Sequence, residues 1–249
     1  MFVSTEVGEN LWDHLALPQQ RKLRSPAPDA SIRSPAFNAA AFTTGSPLDW
    51  HTTDSIDPEE LKTALARDSG VLLREKEGLL RGARYHLGML MLYIGVPLDE
   101  TLVRTYALIL LPISRGAITL KSADISDQPA IDHNHYATAS DQYRLRTAVP
   151  TFAKFMNTSP VVDPFTEEAV PPGLKMIREE SSDAEIDERL NAATMTLQHP
   201  AGKVTANMGK VVDTEFRVEG VQWLRAIDAS ARHTSISCPI QAVVYALGE

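Results

Sequence analysis

Thr101-Leu102-Val103-Arg104-Thr105-Tyr106-Ala107-Leu108-Ile109-Leu110-Leu111 runs directly into Pro112. The apolar residues make a run of strand length, and the proline, which has no amide hydrogen to continue a ladder, stops it. Arg115-Gly116-Ala117-Ile118-Thr119-Leu120-Lys121 follows, alternating polar and apolar residues as a half-buried strand does. The two segments are expected to lie side by side as antiparallel strands.

Upstream, Asp57-Pro58-Glu59-Glu60 supplies an N-cap, a proline at the first helical position and an acid three residues after the cap, opening a helix to about Asp68. Residues 18–50 hold Pro18, Pro26, Pro28, Pro35 and Pro47, so a mostly irregular excursion over the core is expected there, with room for short strands. Downstream, a turn-rich segment passes through Pro129 and Asn134. Tyr143, Leu145, Val149, Phe152, Phe155 and Met156 then recur at helical spacing within 139–157, with Pro150 expected to kink or divide the helix. Ser182-Asp183-Ala184-Glu185 reads as a capping box for a helix to about Met195, its apolar face formed by Ile186, Leu190 and Ala193. Val211–Asp213, Phe216–Val218 and Leu224–Ile227 are short strand-like pieces before a last apolar segment from Gln241 to Leu247. Strands and helices mix without regular βαβ alternation, so the expected class is α+β, an antiparallel sheet flanked by helices.

The 249 residues carry 24 Lys and Arg against 32 Asp and Glu, a formal charge of −8. That balance argues against a nucleic-acid partner. Cys238 is the single cysteine, so no internal disulfide, all-cysteine zinc site or cysteine-held iron-sulfur cluster is possible, and a reducing, cytoplasmic location is expected. Met1–Asn10 has neither a basic nor an apolar stretch and does not read as a secretory signal. The apolar stretches Leu87–Pro97 and Ala107–Ile113 are about half of the roughly 20 residues a membrane helix needs. No Gly-x-Gly-x-x-Gly, P-loop, Gly-x-Ser-x-Gly elbow or His-Glu-x-x-His occurs among the residues, so the backbone cradle that brings a pyrophosphate to a helix N-terminus is not encoded here.

The tail carries a recognisable order of elements: His199-Pro200-Ala201-Gly202, Met208-Gly209-Lys210-Val211-Val212-Asp213, and Arg217-Val218-x-Gly220-Val221-x-x-Leu224-Arg225-Ala226-Ile227-Asp228-Ala229-Ser230. It resembles the C-terminal signature of glucose-methanol-choline (GMC) flavoprotein oxidoreductases. Val7-Gly8-Glu9-Asn10-Leu11-Trp12-Asp13-His14, Ser114–Leu120 and Gln241-Ala242-x-x-Tyr245-Ala246 are similar to three further elements of that family. The resemblance covers nearly all of this chain but only about the C-terminal half of a family member. It implies a single unit over 1–249, namely the substrate-binding domain with remnants of the flavin domain, of which 199–249 is one.

The same resemblance places His199 beside the flavin as the base toward a substrate hydroxyl, and Asn10, Asp13, Asp228 and Ala229 at positions that face the flavin. The second histidine or asparagine of the family falls on Pro239, whose side chain holds no exchangeable proton. Lys203 stands where the family has threonine after the glycine, and two extra residues precede Met208. Tyr85, His86 and Tyr93, near Met89 and Met91, would line an apolar pocket or simply pack in the core. Cys238 and Pro239 would sit at the substrate side, Cys238 as a reactive thiol or a buried inert one. His133 and His135, with Asp132 beside them, could suggest metal ligands, but side chains two apart in a loop need a third ligand that nothing in the sequence identifies, so a turn is expected there and no metal site.

These readings lead to an expected function: a cofactor-independent enzyme that binds a small apolar metabolite and promotes a non-redox isomerisation, cyclisation or dehydration. By analogy with similar fungal enzymes, the metabolite belongs to specialised metabolism. FAD enters only under the alternative, an alcohol oxidoreductase completed by another chain; a non-catalytic binding module is the third reading. A homo-oligomer without nucleic-acid or membrane partners is expected.

Overall fold

A computed structural model describes residues 5–25, 48–71, 73–92, 101–192, 205–232, 236–237 and 240–249. The strands are β1 (Glu9–Leu11), β2 (Leu15–Leu23), β3 (Leu48–Asp54), β4 (Leu87–Leu92), β5 (Leu102–Ile109), β6 (Gly116–Thr119), β7 (Ala130–Asp132) and β8 (Phe165–Glu168). The helices are α1 (Pro58–Ala66), α2 (Leu73–Leu80), α3 (Ala139–Met156), α4 (Asp183–Ala192) and α5 (Gln241–Gly248). The strands form a five-stranded sheet in the order β3-β4-β5-β2-β8 and a three-stranded sheet in the order β1-β6-β7, with every pairing between these strands antiparallel. The expected α+β class, an antiparallel sheet flanked by helices, is what the chain forms.

The long apolar run becomes the central strand β5, flanked by β2 and β4. Its near-continuous apolarity follows from that place: Val103, Ala107 and Ile109 point to one face and Leu102, Tyr106 and Leu108 to the other, and all are buried. The segment after Pro112 does not pair with it. β6 joins β1 and β7 in the second sheet, so the expectation of neighbouring strands is corrected. The chain is turned away by a buried carboxylate: Asp141 accepts hydrogen bonds from the amides of Ile113 (3.1 Å) and Ser114 (2.8 Å). Arg144, wholly buried, pairs with Asp141 and donates to the Leu111 carbonyl.

α3 lies across the large sheet and carries the core. Leu145, Val149, Phe152 and Met156 are fully buried, each contributing about 1.5–3 kcal/mol of apolar burial. Trp50 of β3 meets Phe152 and Phe155 edge to face, with ring centroids 6.1 and 5.4 Å apart. α3 is one helix that contains Pro150 and is not divided by it. α1 and α4 start as their sequences demand: Asp57 Oδ1 accepts from the amides of Glu59 and Glu60, and Ser182 and Glu185 bond each other's amides.

The excursion expected over 18–50 is corrected at both ends. β2 continues through Pro18 to Leu23, and β3 begins at Leu48. Proline is tolerated there because β8 pairs with β2 at Arg21 and Leu23, leaving Pro18 without a strand neighbour on that side among the described residues. Residues 26–47 lie outside the described residues. The turn expected after Pro129 contains the short strand β7. The tail's strand-like pieces are joined by isolated bridges, Met208 to Val212, Val212 to Val218 and Arg217 to Arg225. Its last apolar segment is α5.

Candidate functional site

Three segments distant in sequence meet at one junction. β1 pairs with β6, and the Gly8 amide donates to the Thr205 carbonyl at 2.9 Å. Gly8 has φ +93°, and a side chain there would run into the Ile118 carbonyl oxygen at 2.0 Å, so the close approach of β1 to β6 requires glycine. Lys210 pairs with Glu6 at 3.0 Å. Ala206 and Met208 donate their amides to the carbonyls of Ser230 and Ala231, which ties the tail into the same place.

Trp12 is the hub, 1% exposed. The guanidinium groups of Arg115 and Arg232 lie 6.0 and 5.5 Å from its ring centroid, within range for cation–π attraction. Asp13 and His14 are buried beside it, and Asp13 Oδ1 accepts from the His14 amide. Asn10 is half-buried with φ 64°. Asp228 is exposed and caps a single 3-10 turn, Ala229–Ala231, by accepting from the Ser230 amide at 2.7 Å; Ala229 is buried within that turn. Asn207 is 6% exposed, and its Oδ1 has no hydrogen-bond partner among the described residues. Arg115 also reaches Glu75 at 3.3 Å, and burial lowers its pKa more than that carboxylate raises it.

His199, Tyr93, Cys238 and Pro239 lie outside the described residues. Tyr85 is 54% exposed at the lip of a cavity of about 360 Å³ whose wall includes Ile56, Leu61, Leu79 and His86. The structure therefore brings Tyr85 and His86 together. Met89 and Met91 instead share the sheet face on which Trp50 meets α3. His86 Nε2 lies 3.0 Å from the Leu79 carbonyl, and burial holds its imidazole below the usual pKa. The rings of His133 and His135 lie tilted at 35° with centroids 4.9 Å apart; burial first, then the neighbouring His133, pushes His135 down to about 4. Among the described residues no group of three potential ligands could hold a metal, and no helix is long and apolar enough to cross a membrane.

Sequence reasoning missed the outer face of the large sheet, the face opposite α3. The register places Pro18, Tyr106, Leu90 and His51 in one row across it and Gln20, Arg104 and Leu92 in the next. Alternation within β5 was the available signal, hidden because both of its faces are apolar.

The family model described as GMC oxidoreductase matches residues 112–248. Over 252 residues the chain is 32% identical to the GMC-type oxidoreductase acuG of Aspergillus aculeatus, an alignment covering 98% of this chain and 47% of that protein. It is 35% identical over 140 residues to the oxygen-dependent choline dehydrogenase of Klebsiella pneumoniae, covering 55% of this chain and 24% of the enzyme. Among solved structures, Aspergillus oryzae formate oxidase superimposes with a TM-score of 0.70 at 22% identity, over 99% of this chain and 46% of that one. An FAD-dependent oxidoreductase from Chaetomium thermophilum gives 0.72 at 20%, over 98% and 47%. The chain thus spans less than half the length of these relatives.

Proposed function

The chain belongs to the GMC oxidoreductase family, and from that premise we propose that it forms the substrate-side half of a site that oxidises a hydroxyl group on a small, largely apolar metabolite. The observation that carries this reading is the junction: the Val7–His14 element, β6 and the tail from Thr205 to Arg232 are far apart in sequence and bonded together in the fold. In this reading His199, six residues before Thr205, takes the hydroxyl proton at an imidazole nitrogen, which titrates near neutral pH.

FAD is the group the family implies, and the junction suits part of it. The buried, unbonded Asn207 Oδ1 offers an acceptor to a ring N–H, since an acceptor left without a donor in a buried place is costly. A bound flavin would supply hydride acceptance. Asn207 would hold its ring edge, and the walls around Trp12 would exclude water. The 249 residues encode no glycine-rich phosphate cradle, so the dinucleotide end would rest on other polypeptide.

A second reading keeps the pocket without the redox step: a cofactor-independent isomerisation, cyclisation or dehydration. It is favoured by Pro239, which leaves the resemblance's pair of proton-handling side chains incomplete. Either reading includes self-association, supported by the exposed Trp223, Leu224 and Tyr245 and read out by light scattering.

The test joins this chain to the part of the Aspergillus aculeatus relative that lies outside the alignment. The joined protein is expected to be yellow and to oxidise an alcohol with a dye acceptor. His199→Ala should lower that turnover about 100-fold with an unchanged circular dichroism spectrum. A joined protein that holds flavin and oxidises nothing, while the chain alone converts a metabolite without flavin, would replace the first reading with the second.

A further inference from the structure

We propose that the guanidinium of Arg21 holds a small monovalent anion, of the size of chloride, in the interior where β2 and β8 meet α4. Arg21 and Gln19 are two apart on β2, so their side chains share one face of the large sheet. They stand opposite Val103 and Thr105 of β5. Thr105 pairs with Met91, and Met91 with Trp50, so this is the face on which Trp50 meets α3. Both side chains are withdrawn from solvent, Arg21 at 4% exposed and Gln19 at 1%.

The charges gathered there do not balance. Glu168 of β8 stands across from Arg21 in the register, but its carboxylate is engaged elsewhere: Oε1 accepts from Nη2 of Arg189 on α4, and Oε2 from the Ile177 amide at 3.3 Å. Arg21, Glu168 and Arg189 are all buried, so two guanidinium groups share one carboxylate and one positive charge is left over. Among the described residues, no carboxylate lies within ion-pair distance of Arg21, and its Nε is shut from water without a partner. Arginine stays protonated inside proteins, and a buried guanidinium recovers its lost hydration only from an anion or from hydrogen bonds. Arg144, equally buried, has Asp141. Glu168 offsets the cost at Arg21 only in part, because burial lowers its pKa more than that charge raises it.

The surroundings set the charge and size of the ligand. The charge left over is single, so a monovalent anion balances it. The burial of Arg21 leaves little open edge on the guanidinium, which excludes an anion with a large body. Gln19 carries a second orphan on the same face, its Nε2, which has no acceptor among the described residues and supplies the anion with an uncharged donor beside the charged one. Surface charge does not account for the attraction, since the chain carries a net charge of −8 and repels anions at long range.

The inference does not rest on the flavin reading, because it is tested on the full chain alone, by unfolding in sodium chloride against sodium gluconate at equal ionic strength, gluconate being too large for the site. Chloride is expected to stabilise saturably with a Kd of about 10 mM, and to raise the folded-to-unfolded ratio about tenfold at about ten times that concentration. Arg21→Met keeps the length of the side chain without its charge. It should lose the chloride response and, in gluconate, be at least as stable as the parent, because an unmatched buried charge has been removed. An arginine with a merely structural role would instead destabilise both salt conditions alike when replaced. Gln19→Leu should keep the response and weaken it. The chloride nuclear resonance of the unaltered chain, broadened by binding and sharpened again by competing bromide, gives the same reading without a variant. Equal stability in the two salts, a response that rises without saturating, or one preserved in Arg21→Met overturns the proposal.

Discussion

Two oxygens of Asp141 hold the turn between the sheets, and both are withdrawn from solvent together with the guanidinium they face. Replacing the carboxylate leaves Arg144 charged in a place with no water, along with two amides that lose their acceptor. Asp141→Ala is therefore expected to cost about 3–5 kcal/mol, measured as a lower urea midpoint with an unchanged slope. His135 sets a pH dependence of the opposite kind. Its folded pKa of about 4 lies below the roughly 6.5 of an unfolded histidine. Between those values the unfolded chain binds a proton that the folded chain refuses, so stability falls as pH drops from about 6.5 toward 4. His51 and His86 are lowered as well and act in the same sense. His135→Gln should make the stability profile measurably shallower across that window; an unaltered slope would show that the imidazole is not held neutral.

At the scale of elements, the helices began where their caps say they begin. Asp57 and Ser182 are short-range signals, because the side chain bonds amides two or three residues ahead and needs nothing from the rest of the fold. Asp57→Ala is expected to destabilise the protein by about 1 kcal/mol, seen as a lowered thermal midpoint, with Asp57→Asn restoring most of it. The strands behaved differently. Pro18 counted as a mark of irregular chain, yet it lies within a nine-residue strand, because what decides its tolerance is whether a neighbouring strand occupies that edge. That neighbour, β8, comes from residues more than 140 positions later.

On the scale of the whole molecule, the structure divides its cohesion unequally. The large sheet and α3 share one extensive core. The tail between Thr205 and Arg232 is built around Val211, Val212 and Ala231 with a few half-buried neighbours, and its chain is linked by isolated bridges and not by a ladder. Opening free energy follows local apolar burial and backbone pairing. Amide hydrogen exchange is therefore expected to be faster in 205–232 than in β2 and β5, with slowing in the tail when a flavin-binding partner polypeptide is supplied. Uniform protection across both regions would contradict this division.

The sequence by itself determined the helix starts, the α+β class, the apolar strand at the centre and, through the order of elements in the tail, the family. Each of these is written in near neighbours or in a fixed order of residues. Only the tertiary structure decided that β5 and β6 belong to different sheets, that Gly8 must be a glycine because Ile118 crosses it, and that Arg104 stands half-buried beside the Tyr106 hydroxyl. It also decided that Tyr85 and His86 share a cavity while Met89 turns to α3. Those facts depend on which strand lies next to which. Strand pairing is settled by hydrogen bonds and burial among residues far apart in the chain, and periodicity within one segment carries no record of its partner.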